Sequence, residues 1–287
     1  ELDLNHERIG KIENLENLTQ LERLCLRQNL IEKIENLHNV SLQELDLYDN
    51  VITKIENLEE LVNLTILDLS FNRISRIENL DVLTNLNKLF LVQNKISKIE
   101  NLSKLTKLTM LELGSNRIRK IENLQSLVNL TSLYLGKNKI DKIENLNVFK
   151  NLTILSLQSN RIVRMENLEN LINLDQLYLS HNGIEKIEGL EKLTKLTILD
   201  VAANRIKKIE NVNHISTLEE FWCNDNQISN WDDLHHLVPL KKLNTIYLER
   251  NIIWMSSDDP EKINPMYRKK IMLVLPWIKQ IDATFCR

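Results

Sequence analysis

Residues 64–80 read LTILDLSFNRISRIENL and contain the pattern that decides the fold. Apolar and polar residues alternate up to Leu69, Asn72 follows, and Ile74, Ile77 and Leu80 come after it at spacings of three. The phrase recurs along the chain, so that asparagines stand first 21, then eight times 22 and finally 25 residues apart. These asparagines are Asn29, Asn50, Asn72, Asn94, Asn116, Asn138, Asn160, Asn182, Asn204, Asn226 and Asn251. Residues 2–15 repeat the pattern with glutamate in the asparagine position, which gives about twelve units.

This pattern is the signature of the leucine-rich repeat. The alternation predicts a short strand with one buried face in each unit, and stacking of the units aligns the strands into a parallel sheet over a leucine and isoleucine core. The signature asparagine is expected to be buried, because its amide both donates to and accepts from backbone groups of a tight turn. Asn36, Asn57 and Asn79 precede apolar residues at helical spacing, which predicts an N-cap before a short α or 3₁₀ turn.

We therefore predict an α/β leucine-rich-repeat solenoid, a horseshoe of about twelve 22-residue repeats with a parallel concave sheet, over residues 1–251. Residues 252–287 break the period, hold three of the four prolines and are predicted to form a C-terminal cap. Within the cap, residues 266–275 predict an amphipathic helix closed by Pro276, and residues 256–260 predict a loop. The chain starts inside a repeat, which predicts a fragment of a longer protein.

The composition argues against several classes of function. The five glycines are scattered, which disfavours phosphate-binding loops and nucleophile elbows. A net charge of −3 predicts no nucleic-acid partner, and the lack of an apolar run of about 18 residues predicts no membrane partner. Three distant cysteines predict neither a disulfide framework nor a zinc knuckle. The histidines, including the exposed pair expected at His235 and His236, lack metal-ligand spacing, so we predict no metal, no cofactor and no catalytic residue.

Two further features are interpreted as structural. A basic column and an acidic column recur side by side and predict a solvated face; they contain Lys33, Lys54, Arg76, Lys98 and Lys120, and Glu35, Glu56, Glu78, Glu100 and Glu122. Residues 250–254 fit a loose basic-x-Ile-x-Trp pattern, which is a type of short docking motif. That pattern must be extended and exposed, whereas here it includes a signature asparagine and an isoleucine expected in the core.

The position that is informative about binding is the residue between the two strand leucines, four places before each signature asparagine. A curved parallel sheet turns this residue outward on the concave face, so core packing does not choose it. The column reads Asp3, Cys25, Asp46, Asp68, Phe90, Glu112, Tyr134, Ser156, Tyr178, Asp200, Trp222 and Tyr247, with Glu44, Tyr48 and Glu220 flanking it. Ten of the twelve are acidic or aromatic, which is typical of a protein-binding surface for an apolar partner rimmed by lysine and arginine. The alternative is that the rings only cover one another along the ladder.

Non-consensus residues inside the repeats carry a closer resemblance. Residues 24–31, 44–50, 111–118, 178–185 and 280–285 resemble the leucine-rich-repeat regulatory subunits of protein phosphatase 1, the regulatory subunit 7 family, and the resemblance extends over the chain. It implies a non-catalytic subunit of nucleus and cytoplasm that binds the phosphatase catalytic subunit with its concave face. The contacts implied by the resemblance are Asp68, Phe90, Glu112, Asp200, Glu220, Trp222 and Tyr247, with Tyr134 where the family usually has phenylalanine. We add Tyr178 as an aromatic anchor and expect the unbound chain to be a monomer.

Two other functions remain as alternatives. The first is a leucine-rich-repeat scaffold for another intracellular assembly, such as an RNP or an axonemal complex. Basic residues among the concave aromatics would favour the RNP role, and they are scarce here. The second is an enzyme, which would need titratable groups that converge in a cleft, and the sequence indicates no such set.

Overall fold

The computed structural model describes residues 1–38, 41–256, 259 and 261–286. The chain divides into two compact units, Glu1–Ile140 and Asp141–Arg287, which we call unit 1 and unit 2. The described residues of unit 1 form seven parallel strands that pair in chain order: β1 (Leu2–Asp3), β2 (Arg23–Cys25), β3 (Glu44–Asp46), β4 (Ile66–Asp68), β5 (Lys88–Phe90), β6 (Met110–Glu112) and β7 (Ser132–Tyr134).

Unit 2 is built in the same way from the remaining strands. Its parallel strands are β8 (Ile154–Ser156), β9 (Gln176–Tyr178), β10 (Ile198–Asp200), β11 (Glu220–Trp222), β12 (Thr245–Tyr247) and β13 (Gln280–Ile281). The last strand, β14 (Thr284–Phe285), pairs antiparallel with β13. The predicted boundary between repeats and cap at residues 251 and 252 lies inside unit 2.

Columns of leucine and isoleucine form the core of each unit. In the repeat quoted above, Leu67, Leu69, Ile74 and Ile77 are fully buried. Because neighbouring strands pair without a shift, Leu67 lies opposite Leu89 of the next repeat, and equivalent residues stack into a continuous apolar column. This architecture confirms the predicted leucine-rich-repeat solenoid with parallel strands.

The signature asparagines connect each repeat to its predecessor. Asn72 is buried, and its Nδ2 donates hydrogen bonds to the carbonyl oxygens of Leu47 at 3.0 Å and Leu69 at 3.1 Å. Its Oδ1 accepts a hydrogen bond from the backbone N–H of Ile52 at 2.9 Å. The side chain thereby satisfies backbone groups of two successive turns, as the sequence predicted.

The second recurrent asparagine does not cap a helix, so the N-cap prediction for Asn36, Asn57 and Asn79 was wrong. All three have a left-handed backbone with φ of 57°, and turns rather than helices follow Asn57 and Asn79. Each Nδ2 instead donates to a carbonyl of the preceding repeat, for example Asn79 to Ile55 at 2.7 Å. Asparagine suits the position because it tolerates positive φ and also supplies this amide.

Helical structure in the described residues is confined to the C-terminal part of unit 2. It consists of two 3₁₀ helices, Trp231–Leu237 and Ile252–Trp254, and one α-helix, α1 (Tyr267–Val274). The α-helix confirms the one predicted over residues 266–275, and its Tyr267 and Ile271 are buried. His235 and His236 are exposed at the end of the first 3₁₀ helix, as expected. None of the described helices is long and apolar enough to traverse a bilayer.

Asp282, the residue after β13, connects the C-terminal end of unit 2 to the preceding repeat. Oδ1 of Asp282 accepts hydrogen bonds from the backbone N–H groups of Leu248 at 2.9 Å and Glu249 at 3.0 Å. The hydroxyl of Tyr267 in α1 donates to the same oxygen at 3.2 Å. The loop predicted at residues 256–260 falls largely outside the described residues, which omit 257, 258 and 260.

The basic-x-Ile-x-Trp match at residues 250–254 is part of this folded region. Asn251 is fully buried, and its Nδ2 donates to the carbonyl of Cys223 at 2.8 Å. Ile253 is buried and belongs to the second 3₁₀ helix. Because an extended, exposed segment is needed to add a strand to a partner, this motif is not a docking segment, as the sequence indicated.

Candidate protein-binding surface

The third residue of each three-residue strand forms what we call the strand-face column. Its neighbours in sequence are buried apolar residues, mostly leucines, and successive side chains of a strand point to opposite faces, so the column lies on the face away from the core. Among the predicted site residues, Phe90, Tyr134, Tyr178, Trp222 and Tyr247 are partly exposed there. The aromatic rings therefore do not belong to the hydrophobic core.

Unit 1 contributes Asp68, Phe90, Glu112 and Tyr134, which are successive members of the column. The strand register places Asp68 beside Phe90, Phe90 beside Glu112 and Glu112 beside Tyr134. Burial is the largest cause that raises the pKa of both carboxyls. For Asp68 this effect is opposed by a hydrogen bond from the backbone N–H of Ser70 at 2.8 Å and by the nearby guanidinium of Arg27.

Unit 2 contributes Tyr178, Asp200, Trp222 and Tyr247 of the column, together with Glu220 two residues before the tryptophan. Asp200 lies between Tyr178 and Trp222 in the register, and Tyr247 follows Trp222. Asp200 is buried with 5% of its surface exposed, and burial raises the pKa of its carboxyl. A backbone hydrogen bond from Ala202 at 3.0 Å and one from the Ser180 side chain partly offset this effect.

Polar groups two residues before the rings, or on the next strand, hold the rings of unit 2 in place. The indole N–H of Trp222 donates to Oε2 of Glu220 at 3.1 Å, and the hydroxyl of Tyr178 donates to Oε1 of Gln176 at 3.0 Å. The hydroxyl of Tyr247 accepts from Nε2 of Gln280 at 2.9 Å. Trp222 and Tyr247 also meet edge to face with ring centroids 5.6 Å apart. These contacts reduce the entropy that the rings lose on binding.

Each unit thus contains a carboxylate flanked by aromatic rings on the two neighbouring strands. The sets are Phe90–Glu112–Tyr134 in unit 1 and Tyr178–Asp200–Trp222 in unit 2. Since adjacent strands lie about 4.8 Å apart, a cation above the carboxylate would be within roughly 6 Å of both rings. In the described part of the chain, neither Glu112 nor Asp200 forms an ion pair within 4 Å. The arrangement is suited to lysine or arginine side chains of another protein.

Sequence reasoning missed several residues that shape this surface. Gln176 and Gln280 fix tyrosine hydroxyls, and a glutamine two residues before a column tyrosine is the signal that could have identified the first. Arg27 was also missed, although its guanidinium contacts two carboxylates of the column: Nε bonds Asp46, and Nη2 lies 3.7 Å from Asp68. A basic residue two places after the column position gives no indication by itself of which neighbouring acid it will reach.

The strand face also carries the thiol of Cys25. Across the described residues, no cluster of histidine, cysteine, aspartate and glutamate has the arrangement of a metal site. Burial and the neighbouring Asp46 raise the pKa of the Cys25 thiol, which disfavours the reactive thiolate.

Comparison with known proteins agrees with the fold. The family described as Leucine Rich repeats (2 copies) matches residues 40–82, 84–126 and 172–214. An internalin, inlF, from Listeria monocytogenes superposes with a TM-score of 0.78 and 27% identity over 99% of this chain and 86% of its own. The leucine-rich-repeat protein LIC12759 of Leptospira interrogans superposes with a TM-score of 0.72 and 23% identity over 91% of this chain and 72% of its own. Fold and repeats define a leucine-rich-repeat scaffold.

Shorter matches connect the chain to one group of curated proteins. Protein phosphatase 1 regulatory subunit 7 of Xenopus tropicalis is 58% identical over 47 residues, which are 16% of this chain and 14% of that protein. The human protein of the same name is 61% identical over 40 residues, which are 14% of this chain and 11% of the relative. The matches thus span about one seventh or less of the relatives' length. The similarity is thus to leucine-rich-repeat proteins along the chain and, over short stretches, to a regulatory subunit.

Proposed function

We propose that this chain binds the catalytic subunit of protein phosphatase 1 through the strand-face columns of its two units. The observation that carries the proposal is the buried carboxylate of Asp200, which lies between Tyr178 and Trp222 without an ion-pair partner in the described residues. A buried charge of this kind is costly unless a cation reaches it, and flanking rings favour such a cation further. The short matches to regulatory subunit 7 support the choice of partner.

The proposed mode of binding combines apolar anchors with charge. Phe90, Tyr178, Trp222 and Tyr247 pack against apolar residues of the phosphatase, and the three rings of unit 2 lose little freedom on binding because hydrogen bonds already hold them. Asp68, Glu112, Asp200 and Glu220 face its lysine and arginine side chains, and Tyr134 completes the set in unit 1. We place this complex in the nucleus and cytoplasm and the unbound chain in a monomeric state.

A direct titration tests this function. The purified chain is titrated with purified catalytic subunit of protein phosphatase 1 by isothermal calorimetry, and we expect a saturable complex of one to one. The Asp200→Asn variant is the matched control for charge, since it keeps the shape of the side chain while removing the carboxylate. No binding at concentrations of about 100 μM would contradict the proposal, because a specific complex of standard size binds more tightly than that.

The affinity should also depend on pH. Because burial raises the pKa of the Asp200 and Glu112 carboxyls, they lose their charge at a higher pH than ordinary side chains with a pKa of about 4. Attraction for a cation is present above the raised pKa and is lost as the pH falls through it. We therefore expect the phosphatase to bind more weakly in mildly acidic buffer, with a smaller change for Asp200→Asn. An affinity that stays constant or rises on acidification would contradict this mechanism.

A further inference from the structure

Unit 1 carries an exposed pair of aromatic rings outside the strand-face column. Tyr48 and Phe71 follow β3 and β4, and their ring centroids lie 4.8 Å apart at an interplanar angle of 45°. Tyr48 is partly exposed, and 40% of the Phe71 surface is accessible to solvent. Neither residue belongs to the set assigned above to the phosphatase contact.

Phe71 occupies a backbone conformation that disfavours it. The residue directly before a signature asparagine has φ between 51° and 57° in the described repeats, and apart from Phe71 this position is polar, charged or small: Gln28, Asp49, Gln93, Ser115, Lys137, Ser159, His181, Ala203, Asp225 and Arg250. The left-handed region costs free energy for a bulky side chain. Since 40% of the Phe71 surface remains exposed, burial of the ring in the free chain repays only part of this cost, and contact with another molecule would repay the rest.

Arg27 of the preceding repeat and Asp46 of the same repeat hold Tyr48 in place. The guanidinium carbon of Arg27 lies 5.1 Å from the centre of the Tyr48 ring, and Nε of Arg27 bonds the buried carboxylate of Asp46. The backbone N–H of Tyr48 donates to the other oxygen of Asp46 at 3.1 Å. With Tyr48 fixed by these contacts, the ring of Phe71, which packs against it at an interplanar angle of 45°, is presented to solvent in a defined position.

We propose that Tyr48 and Phe71 form a second anchor that receives an apolar side chain flanked by a basic residue of the protein bound to the strand face. The exposed pair of rings favours an apolar side chain of the partner, and the aspartates around the rings favour a basic residue beside that side chain. The same two repeats carry three aspartates, Asp46, Asp49 and Asp68. Arg27 contacts Asp46 and Asp68, whereas Asp49 is exposed and is not one of its partners. This inference rests on the proposed function and extends its surface to residues outside the column.

The Phe71→Asn variant tests this anchor, because asparagine removes the ring and prefers the left-handed backbone. We expect binding of the protein phosphatase 1 catalytic subunit to weaken about tenfold, as for a moderate hot spot, while the melting temperature stays within about 5 °C of wild type or rises. Gln93→Asn, at the equivalent position of the next repeat with φ of 53°, is the matched control and should bind like wild type.

The other outcomes each have a definite meaning. Wild-type affinity for Phe71→Asn, with the expected loss for a Trp222 variant, would overturn the second anchor and leave the proposed function intact. A large drop in melting temperature for Phe71→Asn would show that the ring serves the fold, and this result would also overturn the anchor. If the wild-type chain does not bind the catalytic subunit at all, the proposed function fails first and the anchor fails with it.

Discussion

Replacing Trp222 by alanine is expected to weaken binding to the protein phosphatase 1 catalytic subunit by about 30-fold, equivalent to roughly 2 kcal/mol. The indole meets Tyr247 edge to face, donates to Glu220 and borders Asp200, so its removal disturbs the packing and charge of the whole unit 2 set. Because the ring lies outside the core, stability should change little. Isothermal calorimetry measures the affinity, and thermal unfolding of the free variant checks the fold.

Two further variants make this result specific. Lys120→Ala lies on the exposed charged column and should bind like wild type, since removal of single solvated charges costs little. Trp222→Phe keeps an aromatic ring but loses the hydrogen bond to Glu220 at 3.1 Å, so an intermediate affinity is expected. Equal losses for Trp222→Ala and Lys120→Ala would show that the strand face is not the contact surface.

The repeat architecture could be predicted from the sequence because a single physical requirement recurs in every unit. Leu67, Leu69 and Asn72 stand at positions that only a stacked strand and a tight turn satisfy together, and the structure places them as predicted. The repetition also shows which fold the phrase belongs to. A single copy of this phrase could belong to several folds, whereas in-phase copies are compatible with stacking alone.

Local conformation was less predictable where one residue type serves two purposes. Asparagine before an apolar run at helical spacing is typical of an N-cap, but it is equally suited to positive φ. Asn79 has φ of 57° and donates to Ile55 of the preceding repeat, a partner that sequence spacing does not reveal. At the same position of a later repeat, Gly189 has φ of 75°, and this substitution is the clue that identifies the left-handed backbone.

On the candidate surface, the sequence predicts the face on which the column residues lie but not the side-chain contacts between repeats. Alternation alone places Phe90, Tyr178 and Trp222 on the face away from the core, and the structure agrees. The contact of Arg27 with the carboxylates of the column depends on side-chain length and direction across two repeats. Phe71 was missed because it lies outside the column, and its interest arises only from its backbone conformation together with its exposure.

The signature asparagines should be the most costly polar residues to replace, and Asn116→Ala is expected to lower the free energy of unfolding by about 3–5 kcal/mol. Its Nδ2 donates to the carbonyls of Leu91 at 2.8 Å and Leu113 at 3.1 Å, and its Oδ1 accepts from the N–H of Ile96 at 3.0 Å. Alanine leaves these buried groups without partners. Urea unfolding followed by circular dichroism measures the loss, and hydrogen exchange at the Ile96 amide locates it.

Asn129→Ala is the matched control for this prediction, because the residue type and the substitution are the same. Asn129 is exposed and donates a single hydrogen bond to the carbonyl of Thr106 at 2.9 Å, a group that water reaches when the side chain is removed. We therefore expect a loss below about 1 kcal/mol. Similar losses for both variants would mean that burial of the amide is not what makes the signature asparagine necessary. A much larger loss for Asn116→Ala, with faster exchange at Ile96, would show that these side chains hold successive repeats together.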